Sequence, residues 1–267
     1  MNKCGYVAVI GRPNVGKSTL INHIVGEKVS IVTAKPQTTR HQILAISTTK
    51  QGQILFIDTP GLHLGYKKAL NKYMNKAAAT AVIDVDLVLF LVESLKWTKD
   101  DEQALKIAQQ AKCPVFLVIN KADLIKNKEK LIPFATKISS QLDFKEILYT
   151  SASKGKGIEQ LENKIYQHLP ESENFYQQDQ LTDKSTKYLI SELIREQLTL
   201  RLHQELPYSL TVEVESFKEI KGLIHIHALI WVERDMQKNM VIGKKGETLK
   251  YVGMNARKEI QDLIGRK

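Results

Sequence analysis

The sequence predicts an α/β protein, a mostly parallel sheet with helices on both faces, followed by a smaller α+β unit. Three observations lead there. Short apolar runs alternate with helix-length segments through the first 170 residues, the pattern of strands buried on both faces of a parallel sheet. A polar stretch from about residue 171 then interrupts the alternation. Beyond it come a long amphipathic helix, two strand-like runs and a glycine-punctuated helical end. The expected division is residues 1–170, a linker at 171–184, and a second domain at 185–267.

The strands of the first part are expected at residues 6–10, 54–57, 87–92, 115–119 and 147–148. Each has the length and composition of a buried strand. Helices are expected at 17–25, 68–82, 102–110 and 158–168, the last stopped by Leu169-Pro170. Ligands of such sheets sit in the loops at the carboxyl ends of strands. In the second part the helix is expected over 187–206, with Leu189, Ile190, Leu193, Ile194, Leu198 and Leu202 as its apolar stripe. Strands are expected at 210–215 and 223–232, the second alternating at Ile224, Ile226 and Ala228.

The formal charge is +10, which suits a polyanionic partner. It is spread unevenly. Residues 171–235 hold 7 Lys/Arg against 12 Asp/Glu, whereas residues 236–267 hold 8 against 3. A basic terminal segment after an acidic one gives the second unit a face suited to phosphates. Cys4 and Cys113 stand apart, outside any metal-spaced cluster, as expected in a reducing cytosol. No run of about 18–20 apolar residues is present, which predicts a cytoplasmic protein and leaves room for peripheral contact with the inner face of the cell membrane.

Four motifs fall in loops after strands. Gly11-Arg12-Pro13-Asn14-Val15-Gly16-Lys17-Ser18 follows the first strand and opens a helix, with Thr19 next in line. Its glycines let successive N–H groups turn inward onto phosphate oxygens, and the helix N-terminus adds partial positive charge. Lys17 is placed for β/γ-phosphates and the Ser18 hydroxyl for Mg²⁺. Asp58-Thr59-Pro60-Gly61 follows the strand at 54–57, where Asp58 can hold Mg²⁺ and the Gly61 N–H can meet a γ-phosphate. Asn120-Lys121-Ala122-Asp123 follows the strand at 115–119. A carboxylate at Asp123 can accept both guanine N1–H and the exocyclic amine; adenine lacks that donor pair and would leave the carboxylate unpaired. Thr150-Ser151-Ala152 follows the last strand and offers a backbone N–H towards guanine O6.

Together these motifs resemble the translation-factor-like GTPases. The string Gly11–Thr19, together with Lys35-Pro36-Gln37-Thr38-Thr39-Arg40, is similar to the Era family, as are the segments 205–209 and 241–247. The resemblance spans nearly the whole chain. It implies a P-loop GTPase fold, GTP and GDP as ligands with Mg²⁺, and a C-terminal KH domain that binds small-subunit ribosomal RNA during 30S assembly. It also implies that residues 36–40 form the first switch, with Thr39, rather than Thr38, ligating Mg²⁺ alongside Ser18 and Asp58. The γ-phosphate and the metal hold such a loop, and hydrolysis releases it. Leu62 stands where Ras-like proteins have a water-orienting Gln, and leucine cannot polarise water. In relatives with this replacement a P-loop Asn holds K⁺ near the phosphates, a role that falls to Asn14. Asn14, Lys17 and Thr39 are therefore the expected catalytic groups, and His63 reads as a solvated switch residue.

The resemblance also assigns the second loop. Ile242-Gly243-Lys244-Lys245-Gly246 lies between two helical segments after two strands, and KH domains clamp single-stranded RNA backbone against such a loop. Lys244 and Lys245 would meet phosphates, and Ile242 would offer an apolar platform for bases. One departure stands out: the helix after this loop reaches residue 264 and the family's last strand is not found, which predicts a two-stranded sheet with an uncovered edge. A monomer that binds the 30S precursor is the expected form. The alternative is a nucleotide-regulated RNA-binding protein, or a GTPase serving a membrane or protein interaction.

Overall fold

The computed structural model describes residues 2–35, 38–62, 69–202 and 209–265. Pro36, Gln37, His63 and the segment 203–208 therefore lie outside the described residues. The chain divides into two compact units, residues Met1–Ser30 with Thr39–Asp183, and Ile31–Thr38 with Lys184–Lys267.

The first unit is a six-stranded sheet in the order β2-β3-β1-β4-β5-β6. Its strands are β1 (Lys3–Ile10), β2 (Ile43–Thr49), β3 (Gly52–Asp58), β4 (Leu87–Glu93), β5 (Val115–Asn120) and β6 (Glu146–Tyr149). All neighbours pair in parallel except β2 with β3, which is antiparallel. The helices are α1 (Lys17–Val25), α2 (Ala69–Ala81), α3 (Lys99–Ala108), α4 (Leu131–Ser139) and α5 (Ile158–His168). The unbroken apolar runs are explained by their two faces. In β1, Val7 and Val9 pack with Leu20 of α1 and Leu161 of α5. Ala8 and Ile10 face the other way, towards Ala78 of α2, Ala104 of α3 and Leu131 of α4. Because β1 lies between β3 and β4, the chain leaves it on one side and returns on the other, which makes its carboxyl end the ligand crevice.

Two elements depart from the sequence expectation. β2 is an additional edge strand whose polar second half, Ser47-Thr48-Thr49, hides the strand periodicity. α4 carries Pro133, which reads as a helix breaker but sits in the first turn, where no intrahelical N–H is lost. α3 starts earlier than expected, because Thr98 and Asp101 form a capping box. The expected linker also contributes structure. The Gln53 side-chain oxygen accepts the N–H groups of Phe175 and Tyr176, each at 3.0 Å, and Ile46 N–H donates to Leu181 O at 2.8 Å. Residues 171–183 thus form a strap bonded to β2 and β3 rather than a free tether.

The second unit contains α6 (Thr186–Arg201), the antiparallel pair β7 (Leu210–Ile220) and β8 (Leu223–Val232), α7 (Asp235–Ile242) and α8 (Glu247–Ile264). Ile190, Leu193, Leu198 and Leu202 of the predicted stripe are buried against β7 and α8. The helix ends at Arg201 rather than 206, since Leu202 is extended. The carbonyls of Thr199 and Leu202 there accept the Lys35 ammonium, a favourable placement for a cation at a helix C-terminus. Among the described residues β8 pairs with β7 alone. Its half-buried side chains Ile224, Ile226 and Ile230 line an apolar groove of about 580 Å³ with Val252, Ala256 and Ile260 of α8.

Phe90 is fully buried, stacked on Phe144 at 6.1 Å and edge-on to Trp97 at 6.3 Å. Phe90→Ala should cost about 3–5 kcal/mol of stability, read as a shift of the urea midpoint with an unchanged denaturant slope.

Candidate nucleotide site and nucleic-acid loop

The loop after β1 depends on two glycines. A Cβ on Gly11 would lie 2.4 Å from Leu91 O, and one on Gly16 would lie 2.3 Å from Asn120 Nδ2. Gly16 (φ +104°) also begins α1 in a left-handed conformation, without a side-chain cap. The first N–H groups of α1 are thus left for a ligand, the arrangement that binds phosphate. Asn14 (φ +63°) sits exposed at the crest of the loop, between Pro13 and Val15. Thr19 lies in the first turn of α1.

Lys17 is buried and its Nζ donates to Gly11 O and Arg12 O, both at 3.0 Å. Burial pushes its pKa down to about 8, helped by the Arg12 charge and opposed by Asp58. Asp58, at the carboxyl end of β3, has no solvent exposure, and burial pushes its carboxyl above the usual range against the pull of Lys17 and Ser18. Its Oδ2 accepts the Ser18 hydroxyl at 2.7 Å, and the Ser18 Oγ lies 3.0 Å from Thr39 Oγ1. Asp58 Oδ1 and the Ser30 hydroxyl are buried close enough for Ser30 to help hold the carboxylate charge, but neither atom makes a hydrogen bond of good geometry among the described residues. Two hydroxyls and a carboxylate with an unsatisfied oxygen form a hard-oxygen donor set that fits Mg²⁺. Thr39, not Thr38, joins this cluster. The Thr38 hydroxyl instead bonds Lys35 O and the Thr33 hydroxyl, each at 2.7 Å.

Gly61 approaches the phosphate loop closely, since its Cβ would lie 2.7 Å from Pro13 Cα. Thr59 donates to Val9 O at 2.7 Å and so fastens Asp58-Thr59-Pro60-Gly61 to β1. Leu62 is fully buried among the apolar residues of β1, β4 and α2. It serves the core and has no polar group for water.

Asn120 joins the remaining loops. Its Nδ2 donates to Val15 O at 2.7 Å, and its Oδ1 accepts Thr150 Oγ1 at 3.1 Å and Ala152 N–H at 3.0 Å. The Ala152 N–H, one of the backbone donors in the segment expected to offer an N–H to guanine O6, is therefore engaged with Asn120 in this structure. Ser151 is buried and its hydroxyl has no hydrogen-bond partner among the described residues. Lys121 occupies a left-handed conformation (φ +61°), and Asp123 is exposed two residues further on.

Arg12 is expected at the nucleotide, but its guanidinium points behind the loop. Nε donates to Asp101 Oδ2 at 3.0 Å and Nη2 to Glu93 Oε2 at 2.6 Å. Glu93 and Asp101 escape the motif search because neither belongs to a nucleotide motif. The signals are present: Glu93 directly follows the strand expected at 87–92, and Thr98-x-x-Asp101 is a cap signature.

In the second unit, Gly243 (φ +75°) and Gly246 (φ +77°) bracket Lys244 and Lys245, the latter also left-handed (φ +52°). A Cβ on Gly243 would meet Thr248 Oγ1 at 2.3 Å. Both lysines are exposed, Ile242 is half-buried, and α8 starts at Gly246 without a side-chain cap. The polar side of α6 is less solvated than its stripe suggests. Glu196 accepts Val32 N–H at 2.8 Å, and Arg195, paired with Glu192, donates to Thr38 O at 2.5 Å. The segment Ile31–Thr38 clusters with this unit for that reason. No helix among the described residues is long and apolar enough to cross a membrane.

Phosphate loop and base loop held together through one buried amide, on a doubly wound sheet, define a P-loop GTPase domain, here joined to a KH domain. A family model described as 50S ribosome-binding GTPase matches residues 6–121, and the KH domain model matches residues 205–267. GTPase Era of Ectopseudomonas mendocina is 48% identical over 267 residues, covering 100% of this chain and 89% of the relative. That of Pseudomonas fluorescens is 50% identical over 265 residues, covering 99% and 88%. The chain belongs to the Era family of GTPases, enzymes that hydrolyse GTP. Among solved structures, Era in complex with MgGDPNP and nucleotides 1506–1542 of 16S ribosomal RNA superposes with a TM-score of 0.95 at 34% identity, covering 100% of this chain and 91% of that one. An Aquifex aeolicus Era variant bound to GDP·AlF4⁻ gives 0.93 at 35% identity, covering 99% and 90%.

The depressed Lys17 pKa sets a pH dependence. Below about pH 8 the ammonium is already charged and would meet a polyphosphate without taking up a proton. Above that value binding must first protonate it, so GDP affinity should fall by up to about tenfold per pH unit. Calorimetry in buffers of different ionisation enthalpy should show little proton uptake at pH 7 and uptake approaching one proton at pH 9. Lys17→Met should remove that component.

Proposed function

We propose that this chain is a GTP-hydrolysing switch that binds the 3′ region of small-subunit ribosomal RNA and assists 30S subunit biogenesis. The observation that carries the nucleotide half is the convergence of Lys17, Ser18, Asp58 and Asn120 at the carboxyl edge of one sheet. Glycine-shaped backbone at Gly11–Gly16 and the start of α1 would take the phosphates, with Lys17 turning its ammonium from Gly11 O and Arg12 O to the β/γ oxygens. Ser18, Thr39 and Asp58 would hold Mg²⁺, which when bound supplies charge neutralisation at the phosphates. Asp123 would read guanine, while Lys121 would cover the base and Ser151-Ala152 would close its edge.

Leu62 cannot orient the attacking water, so stabilisation of phosphate charge has to come from elsewhere. Asn14, exposed on the loop crest, is the residue we assign to K⁺. GTP turnover should be several-fold faster in K⁺ than in Na⁺ at equal ionic strength, and Asn14→Ala should erase the difference. Lys17→Ala should abolish turnover altogether; a rate unchanged in that variant would mean the hydrolysis belongs to a contaminant.

The RNA half is supported by exposed Lys244 and Lys245 between two glycines of positive φ, and by the Era relative solved with 16S ribosomal RNA nucleotides. The broader family description names the 50S subunit, whereas the RNA in that relative is from the small subunit, which supports our assignment. The reading places the protein in the cytoplasm, as a monomer acting on the 30S precursor. Replacing both lysines by alanine should weaken binding to a 16S 3′-end oligonucleotide and lower the slope of log K against log salt by about 1–2. Crosslinking in the GTP and GDP states that recovers no ribosomal RNA would remove this half of the reading.

A further inference from the structure

Glu93 and Asp101 form an ionic brace behind the nucleotide site. Glu93 ends β4 and is paired in the sheet with Asn120, the first residue of the base loop. Its Oε2 lies 2.6 Å from Arg12 Nη2, 3.3 Å from Lys121 Nζ and 3.9 Å from Lys96 Nζ. Arg12 is the second residue of the phosphate loop, and Lys121 is the second residue of the base loop. One carboxylate therefore serves a cation from each. The other side of the guanidinium is held by Asp101, fully buried, whose Oδ2 also accepts Thr98 N–H at 2.9 Å and Thr98 Oγ1 at 2.8 Å. Arg12 Nη1 further donates to Pro13 O at 3.2 Å.

The charges in this brace are unequally screened. The side chains of Arg12 and Asp101 are 8% and 0% exposed, whereas Glu93 is 19% and Lys121 31% exposed. The hydrogen bonds from Arg12 and the charge of Lys121 hold the Glu93 carboxyl below its ordinary range, against the effect of burial. Solvent screens the Lys121 end more than the Arg12 end, so Glu93 is a rigid anchor on one side and an adjustable one on the other. Arg12 cannot swing out to a phosphate without stranding two carboxylates, one of them without solvent contact. What Arg12 gives the site is backbone geometry: its own carbonyl and that of Gly11 are the acceptors that park Lys17.

We propose that Glu93, backed by Asp101, is a positioning residue that couples phosphate recognition to base recognition. It fixes the phosphate loop through Arg12 and the base loop through Lys121 with a single carboxylate. This rests on the guanine-nucleotide reading above. It adds a specific linkage: the contributions of Arg12 and Lys121 to nucleotide binding depend on each other, and they do so through Glu93.

A triple-mutant cycle on GDP affinity, with Arg12→Gln, Lys121→Met and Glu93→Gln alone and combined, tests the linkage. In the wild-type background the two cation replacements should be non-additive by about fivefold. With Glu93→Gln, which preserves shape and removes charge, the non-additivity should fall to within twofold. Additive effects in the wild-type background would overturn the proposal, as would coupling that persists in Glu93→Gln. A Glu93 that only supported the fold would lower melting temperature without changing the coupling. Where Arg12→Gln does not fold, Arg12→Lys replaces it, since one ammonium cannot bridge Glu93 and Asp101 as the fork does. If the unaltered protein bound neither GDP nor GTP, the nucleotide reading itself would fall, an outcome distinct from binding without coupling.

Discussion

The nucleotide site depends on one buried side chain, the Asn120 amide. Its two polar atoms fasten two segments distant in sequence to the end of β5: the phosphate loop at Val15, and the loop after β6 at Thr150 and Ala152. A buried amide left unpaired costs about 1–3 kcal/mol per lost partner, so loosening one loop strands the atoms that hold the others. The same contact explains Gly16, because a Cβ there would collide with Asn120 Nδ2. Only a bare backbone lets α1 begin close enough to β5 for phosphate and base loops to address one ligand.

The site is also held in an unfavourable electrostatic state. Lys17 and Asp58 are both buried, and burial shifts each towards its neutral form. Their mutual attraction offsets only part of that cost, which is the usual balance for buried charges. A polyphosphate at Lys17 and a divalent cation at Asp58 would supply the missing charges. Ligand binding would therefore relieve a strain that the fold maintains by packing Leu20, Ile21 and Phe56 around the loop. Arg12 follows the opposite rule. Its charge is fully matched behind the loop by Glu93 and Asp101, so it adds rigidity to the cradle without competing with Lys17 for phosphate.

Much of this was legible in the sequence because strand period and motif position are local signals. β1, β4 and β5 read correctly, since burial on both faces leaves unbroken apolar runs, and the loops after them carry the motifs. β2 does not, because an edge strand tolerates the polar run Ser47-Thr48-Thr49, of which Ser47 is buried and only Thr49 is exposed. α4 was hidden by Pro133, whose cost depends on its place within the turn. The side-chain direction of Arg12 could not be read, because a P-loop residue and a buried ion pair look alike until Glu93 and Asp101 are brought beside it by the sheet. The strap at residues 171–183 reads as a linker because Gln53, its anchor, is a buried polar residue more than a hundred positions away.

The polar side of α6 shows what a surface-looking stripe can conceal. Arg195 and Glu196 hold Thr38 and Val32, and the helix end holds Lys35. Thr38 is covalently followed by Thr39, whose hydroxyl meets Ser18. Displacing Ile31–Thr38 from α6 would leave the Glu192–Arg195 pair without its carbonyl acceptor and Glu196 without Val32 N–H, each loss worth about 1–3 kcal/mol for a buried group. Moving a two-state segment from one arrangement to the other across a 1:99 to 99:1 range takes about 5.5 kcal/mol of differential binding. The contacts on α6 are of that order in combination. On the proposed reading, a metal and γ-phosphate engaging Thr39 in only one arrangement would reset the segment, whereas a ligand indifferent to Thr39 would not, however tightly it bound.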